Sequence, residues 1–326
     1  MIDHRRLRTA CLYGRKTMKV REIIAAAVVL ASPTHAFAWG QEGHAAVAEI
    51  AQHRLTSSAS DVVQRLLRAH LGLTGQQVVS MASIASWADD YRADGHKDTS
   101  NWHFVDIPLA SLPGGSSATT DYDAIRDCAD DATYGSCLLK ALPAQEAILS
   151  DATKDDESRW KALAFVIHLT GDLAQPLHCV QRVDGSQKDQ GGNTLTVTFN
   201  VTRPAPDNST FRDFTTFHSV WDTDLITFKY YDWGLAAAEA EKLLPTLAAD
   251  LLADDTPEKW LAECHRQAEA AYQALPAGTP LKSDIGHPVI LDQAYFEKFH
   301  PVVTQQLALG GLHLAAELNE ALKGGK

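Results

Sequence analysis

Apolar residues along this chain recur mostly at intervals of three and four, the spacing of helices that bury one face. Val47, Ile50, Ala51 and Leu55 share one such face, and Val62, Leu66 and Leu67 share a second. "VSMASIASWADDYRA" predicts a third helix, and "TTDYDAIRDC" through "LPAQEAIL" a broken helical pair. "ESRWKALAFVIHLTGDLAQ" predicts a long helix that Pro176 ends, because proline lacks the N–H a helix interior needs. "FTTFHSVWDTDLITFKYY", "LAAAEAEKLLPTLAADLL", "TPEKWLAECHRQAEAAYQAL" and "DQAYFEKFHPVVTQQLALGGLHLAAELNEAL" carry the helical pattern to the C-terminus. Only "NTLTVTFNVT", following a Gly-Gly turn signal, alternates as strands do. "SLPGGSSATTD" and "TRPAPDNS" read as loops. There is no repeat period and no low-complexity block. The expected fold is mainly α, a single helical domain with one short β-hairpin.

The N-terminus follows another pattern. Lys19 and Arg21 precede "IIAAAVVLA", which is followed by "SPTHAFA". A short basic region, a brief apolar run and a small-x-small site make up a secretory signal. The run is too short for a membrane span, which needs roughly 20 apolar residues. Residues 1–38 are therefore expected to be leader, with Met18 the start and residues 1–17 an upstream extension. Residues 39–326 form the working domain, secreted or periplasmic after cleavage between Ala38 and Trp39. Cleavage would give Trp39 a free α-amine, which titrates at ~8 and can yield its proton to a metal. The amine and the Trp39 carbonyl together could chelate one ion.

Charge narrows the possible partners. Residues 1–38 carry seven of the 29 Lys and Arg and two of the 41 Asp and Glu, which leaves 22 basic against 39 acidic residues beyond Ala38. Such a chain has no broad basic surface for nucleic acid. If it acts on phosphates, metal ions must supply the positive charge. Four cysteines remain after Cys11 leaves with the leader: Cys128, Cys137, Cys179 and Cys264. An even count in a secreted chain favours disulfides, with three connectivities possible. The preferred pairing closes a short loop with Cys128–Cys137 and a long one with Cys179–Cys264. Asn200 and Asn208 head N-glycosylation patterns, but the leader looks bacterial and no glycans are expected.

Candidate chemistry lies in five short segments. They contribute His44; Asp89 from "SWADDYR"; His103 from "NWHFVD"; His168, Asp172 and His178 from "HLTGDLAQPLH"; and His218 and Asp222 from "HSVWD". Two of these place His and Asp four apart in helical sequence, on one face about a turn apart. Imidazole nitrogen and carboxylate oxygen are suitable zinc donors. A lone H-x-x-x-D is usually a polar surface pair; two of them with further His and Asp nearby predict a metal site. Beyond Ala38, seven other histidines (His53, His70, His96, His265, His287, His300 and His313) read as surface or core residues. Trp87, Trp102, Trp160 and Trp221 read as core.

In order, "WGQEGH", "SWAD", "HF-x-D", "HLTGDLAQPLH", "GGN" and "HSVWD" resemble the secreted three-zinc, single-strand-specific nucleases of the S-one/P-one type, known from fungi and plants. Zinc phospholipase C shares their fold. The likeness is close from Trp39 to about Asp222 and looser beyond. It implies one zinc held by Asp89, His103, His168 and Asp172. A second would take the Trp39 amine and carbonyl, His44 and the other oxygen of Asp172, and a third His178, His218 and Asp222. It implies hydroxide between the bridged zincs attacking phosphorus in line, with the third zinc stabilising the leaving 3′-oxygen. Arg92 is implied as a phosphate contact, Asp106 as the group orienting the attacking water or Arg92, and Phe104 and Asn193 as the base pocket. An aromatic platform accepts an unstacked base of any identity, which favours single strands.

The implied activity is hydrolysis of single-stranded DNA and RNA to 5′-mononucleotides, with 3′-nucleotidase activity, and with no membrane and no obligate protein partner. Two other readings compete. A phospholipase C of the same fold would carry Glu where this chain has Asp222 and would lack the Arg92/Asp106 pair. A non-enzymatic zinc module would need neither that pair nor a substrate pocket.

Overall fold

The helical spacing is realised in eight α-helices of seven residues or more among the described residues: α1 (Gln41–Gln52), α2 (Ser57–His70), α3 (Trp87–Ala93), α4 (Leu138–Ser150), α5 (Asp156–Leu173), α6 (Trp233–Leu243), α7 (Pro257–Gln273) and α8 (Gln293–Ala321). The computed structural model describes residues 39–109, 121–203, 207–230, 232–247 and 256–325. The expected leader with its cleavage point, and all but the last residue of the "SLPGGSSATTD" loop, lie outside them. No helix among the described residues is long and apolar enough to cross a membrane.

Helix α5 is the centre. Every residue from Ala162 to Leu173 is buried, and α1, α2, α3, α4, α7 and α8 all pack on it. That explains its sequence, which is apolar on all sides instead of amphipathic. Asp155 starts the helix by accepting the Ser158 N–H at 2.8 Å, satisfying one of the free donors of the first turn. It stops at Leu173 because Gln175, before Pro176, is extended, as the residue preceding a proline prefers. The chain then turns back through a 3₁₀ turn, Pro176–Cys179. His168 and Asp172 thus lie in the middle of the core, where polar groups need partners.

Both cysteine pairs form as preferred, Cys128–Cys137 and Cys179–Cys264. The expected third helix divides into a 3₁₀ turn, Met81–Ile84, and α3, with Ser86 outside helical geometry between them. The Asp89 N–H then bonds Ser86, and the Ala85 carbonyl is left to accept from His168. The expected helix from Phe214 also divides. Phe214 to Thr216 end a strand, Phe217–Ser219 is one α turn, and Val220–Asp224 is a wider π turn.

The hairpin is present and larger than expected. β4 (Thr196–Thr202) pairs antiparallel with β5 (Thr210–Thr216), and parallel with β6 (Val289–Leu291) from far along the chain. A second small sheet joins β1 (Pro108–Leu109), β2 (Gln181–Asp184) and β3 (Gln187–Lys188). These added strands are two to four residues long, too short for an alternating pattern to register.

Candidate metal centre

The ligand candidates converge around Asp172. Its Oδ2 lies 3.0 Å from His103 Nδ1 and 3.4 Å from His168 Nε2, and its Oδ1 lies 3.4 Å from His44 Nε2. Asp89, on α3, points into the same space, with Oδ1 3.7 Å from His103 Nδ1 and Oδ2 3.6 Å from His168 Nε2. A second group lies nearby: His178 Nε2 is 3.1 Å from His218 Nε2, which is 3.5 Å from Asp222 Oδ2. Three triads have donor atoms close enough to share an ion: His44–Asp89–His168, His103–His168–Asp172 and His178–His218–Asp222. All eight side chains are buried.

Backbone carbonyls aim the imidazoles. His168 Nδ1 donates to Ala85 O at 2.8 Å, His178 Nδ1 to His103 O at 2.6 Å, and His218 Nδ1 to Gly191 O at 2.8 Å. A carbonyl can only accept, so Nδ1 carries the proton and Nε2 presents a lone pair inward. In the second group, two such lone pairs face each other at 3.1 Å. That contact is repulsive between neutral rings alone. Two imidazoles bound to one tetrahedral zinc at about 2.0–2.1 Å each would stand roughly 3.3 Å apart. Elsewhere in the cluster, both His44 nitrogens, His103 Nε2 and Asp172 Oδ1 are buried without a hydrogen bond. The donor set therefore fits divalent cations, and the chain alone does not satisfy it.

Electrostatics point the same way. Burial pushes the Asp172 and Asp222 carboxyls well above the usual carboxylate range and raises Asp89. Burial likewise holds His44, His103 and His178 well below the ordinary imidazole value, and brings His218 down to about 4. Neutral imidazoles are ready donors at any moderate pH, and buried carboxylates favour a nearby cation.

Close packing explains two glycines in the motifs. Any side chain at Gly171 would begin 2.7 Å from His44 Nδ1, and the His44 ring stacks on His168 at 3.9 Å between centroids. Gly191, at φ +60, has its Cβ position 2.5 Å from Leu177 O, and its own carbonyl orients His218. Trp39 is fully buried, and the Gly40 N–H donates to Asp222 O at 2.8 Å. Gly40, the residue after Trp39, therefore lies against the π turn that carries Asp222.

Arg92 reaches Asp89 Oδ1 with Nη2 at 3.0 Å. Phe104 and Asp106 line a cleft of about 510 Å³ with Asn101, Tyr134, Gln181 and Lys188. Burial pushes the Asp106 carboxyl up to about 7, while Lys188 and a 2.5 Å hydrogen bond from Gln181 oppose the rise. Asn193 is not among the residues lining that cleft, and its amide donates to Gln190 O at 2.9 Å.

The seven remaining histidines of the described residues have structural settings. His70, His96 and His313 stack on Trp160, Tyr91 and Trp260. His53 and His287 face carboxylates, and His265 and His300 donate to backbone carbonyls.

Gln175 is a contributor that sequence reasoning passed over. Completely buried, it donates from Nε2 to Asp222 Oδ1 and accepts the Leu177 N–H at 2.5 Å. The available signal was a polar residue wedged between a helix end and Pro176, inside the segment richest in ligands.

Known proteins share this arrangement of sequence. The S1/P1 Nuclease family profile matches residues 39–323. Nuclease S1 of Aspergillus oryzae is 29% identical over 317 residues, covering 91% of this chain and 96% of that protein. Nuclease P1 of Penicillium citrinum is 28% identical over 304 residues, covering 86% and 97%. Endonuclease 2 of Arabidopsis thaliana is 27% identical over 319 residues, covering 94% and 98%. The matched stretch opens at Trp39 and takes in every residue of the buried His/Asp cluster, and on that span the chain belongs to the S1/P1 nuclease family.

Proposed function

We propose that this chain is a zinc-dependent nuclease and 3′-nucleotidase, hydrolysing single-stranded DNA and RNA to 5′-mononucleotides. Family membership supports the broader part of that reading, a hydrolase of nucleic-acid phosphodiester bonds. The observation that carries the rest is Asp172, a fully buried carboxylate whose two oxygens face His44 on one side and His103 and His168 on the other. Such a carboxylate can bridge two ions.

The proposed ligands are Asp89, His103, His168 and Asp172 for one zinc, and Trp39, His44 and Asp172 for a second. His178, His218 and Asp222 would hold a third. When bound, such ions offset phosphate charge and make hydroxide available at neutral pH. Arg92, anchored on Asp89, extends the cationic side of the site toward a phosphate oxygen. Asp106, with its carboxyl near neutrality, can accept a proton from water or fix Arg92. Phe104 offers a ring in the neighbouring cleft for one unstacked base, with Asn193 as a contact beyond it. The α-amine of Trp39 becomes a donor only after cleavage behind Ala38, so the reading includes secretion.

The test is a substrate panel with and without chelator: single-stranded DNA, duplex DNA, RNA, a 3′-mononucleotide and phosphatidylcholine. Chelator-sensitive cleavage of the single strands, RNA and the 3′-mononucleotide is expected, with duplex slower. Preferential cleavage of phosphatidylcholine would replace the nuclease reading with a phospholipase.

A further inference from the structure

His178 is delivered by the four-residue turn Pro176–Cys179, and that turn rests at both ends on one turn of α7. At its far end Cys179, the residue after His178, is disulfide-bonded to Cys264, with Cα atoms 5.9 Å apart. His265, the next residue on α7, donates from Nδ1 to the Cys179 carbonyl at 2.8 Å. At the near end, Cys264 Sγ lies 3.2 Å from the Gln175 carbonyl oxygen. The Gln175 side chain in turn holds Asp222 Oδ1 and the Leu177 N–H. Cys179, Cys264 and Gln175 are at most 1% exposed, and His265 8%.

We propose that the Cys179–Cys264 disulfide and His265 are positioning residues for the His178–His218–Asp222 site, setting its affinity for metal separately from the sites around Asp172. The inference rests on reading the cluster as a metal centre. A cross-link over 85 residues is ordinarily a constraint on the unfolded chain, and as such it would leave a folded metal site untouched. The arrangement here is more local. A second restraint, the His265 bond, joins the same two turns that the disulfide already joins. Once the chain is closed at Cys179–Cys264, that bond adds almost nothing to loop closure. It does fix the direction in which the backbone leaves His178. His265 makes this one hydrogen bond through its ring, and its Nε2 is buried without one. A 3₁₀ turn this short has few internal bonds of its own, so the angle of His178 toward His218 depends on what clamps the turn from outside. Asp222 is fixed through Gln175, which touches the same sulfur.

The experiment uses the chain beginning at Trp39, equilibrated in buffers of graded free zinc, with bound zinc per chain and Tm measured together. In Cys179→Ala/Cys264→Ala, one zinc should bind about 10–100-fold more weakly, the range for lost supporting contacts, while the others keep wild-type affinity. Adding Asp222→Asn to that variant should weaken the same zinc further and no other, which assigns the weakened ion to this site. His265→Leu should weaken the same zinc, and His265→Asn, whose amide nitrogen can replace Nδ1, should restore it. Where the cysteine variant yields no folded protein, the His265 pair decides. A lowered Tm with every zinc bound as tightly as in wild type would make the disulfide a fold cross-link only and overturn the inference. Wild-type protein that takes up no zinc would overturn the metal-centre reading itself, and this inference with it.

Discussion

Asp172 and Asp189 are both fully buried carboxylates, and the chain surrounds them in opposite ways. Asp189 accepts the Arg182 N–H at 2.8 Å on one oxygen and the Tyr272 hydroxyl at 2.6 Å on the other. The Arg182 guanidinium beside it is itself bonded to the Thr279 and Pro280 carbonyls. Burial raises the Asp189 carboxyl, and these donors pull it back toward ionisation. Asp172 faces the Nε2 lone pair of His168, the His103 and His44 rings, and a second carboxylate, Asp89. Burial and that neighbour raise it well above the usual range, with only Arg92 in opposition among the main influences. A carboxylate meant to support the fold is given N–H and O–H donors. One set among imidazoles and another carboxylate is arranged for cations.

Substituting the two aspartates should therefore have opposite effects. Asp172→Asn should lose more than one zinc per chain and at least about a hundred-fold in rate, the upper reach of outer-shell losses. In metal-free protein the same change should leave Tm unchanged or higher. A carboxyl raised in the folded state stabilises fully only below its unfolded pKa, and detracts as pH rises through the folded value. At neutral pH the Asn variant escapes that loss. Asp189→Ala should keep every zinc and lower stability by about 1–3 kcal/mol, because it strands a buried N–H and a buried hydroxyl. Urea denaturation with metal analysis tests both, and a metal-free Asp172→Asn protein less stable than its parent would erase the contrast.

Gln175→Leu sharpens the comparison by removing a donor from the edge of the metal centre. The Asp222 carboxylate loses a bond that orients it. Zinc at the His178–His218–Asp222 group should weaken by about 10–100-fold, with helical content unchanged by circular dichroism. Unaltered zinc affinity would mean that the π turn alone orients Asp222.

The sequence was most legible where a ligand pair follows helix geometry. His168 and Asp172, four apart in an apolar run, fall on one face of a buried helix by periodicity alone. His218 and Asp222 looked the same, yet they straddle a short α turn and a π turn. The spacing survives the change of helix type, so it could not reveal it. Ser86 hid a break, since Ser is tolerated in helices and the apolar pattern runs through it. β2, β3 and β6 were invisible because two to four residues carry no period, and their pairing is set by distant chain, as in Val197 against Val289. Gln175 acts on a residue 47 positions away, a contact that only the fold creates. Asn193 lies in a recognisable turn, but the bond from its amide to Gln190 O depends on how that turn closes.

A smaller effect is expected at a third acidic site. Glu146 on α4 shares a hydrogen bond with Glu317 on α8, and burial followed by that neighbour pushes its carboxyl up to about 9. With the folded value raised, its stabilising contribution is complete below the unfolded carboxylate range and is lost as pH rises through about 9. Glu146→Gln should raise Tm modestly at pH 8–9 and change it little near pH 4, read from paired melting curves. An equal shift at both pH values would mean that the pair does not share a proton. Zinc content should not change, which separates this acidic pair from the metal centre.

The central claim is that the buried His/Asp cluster, completed by the Trp39 amine, holds three zinc ions. Elemental analysis of zinc-loaded protein settles it most directly when the chain beginning at Trp39 is compared with one whose Trp39 amine is blocked by extra residues. An amide nitrogen has its lone pair delocalised and cannot donate as an amine does. The account predicts three zincs per chain for the free amine, one fewer for the blocked chain, and recovery when the extension is cut away. One zinc or fewer in the fully loaded free-amine protein would contradict the cluster, and equal zinc in both proteins would remove Trp39 from it.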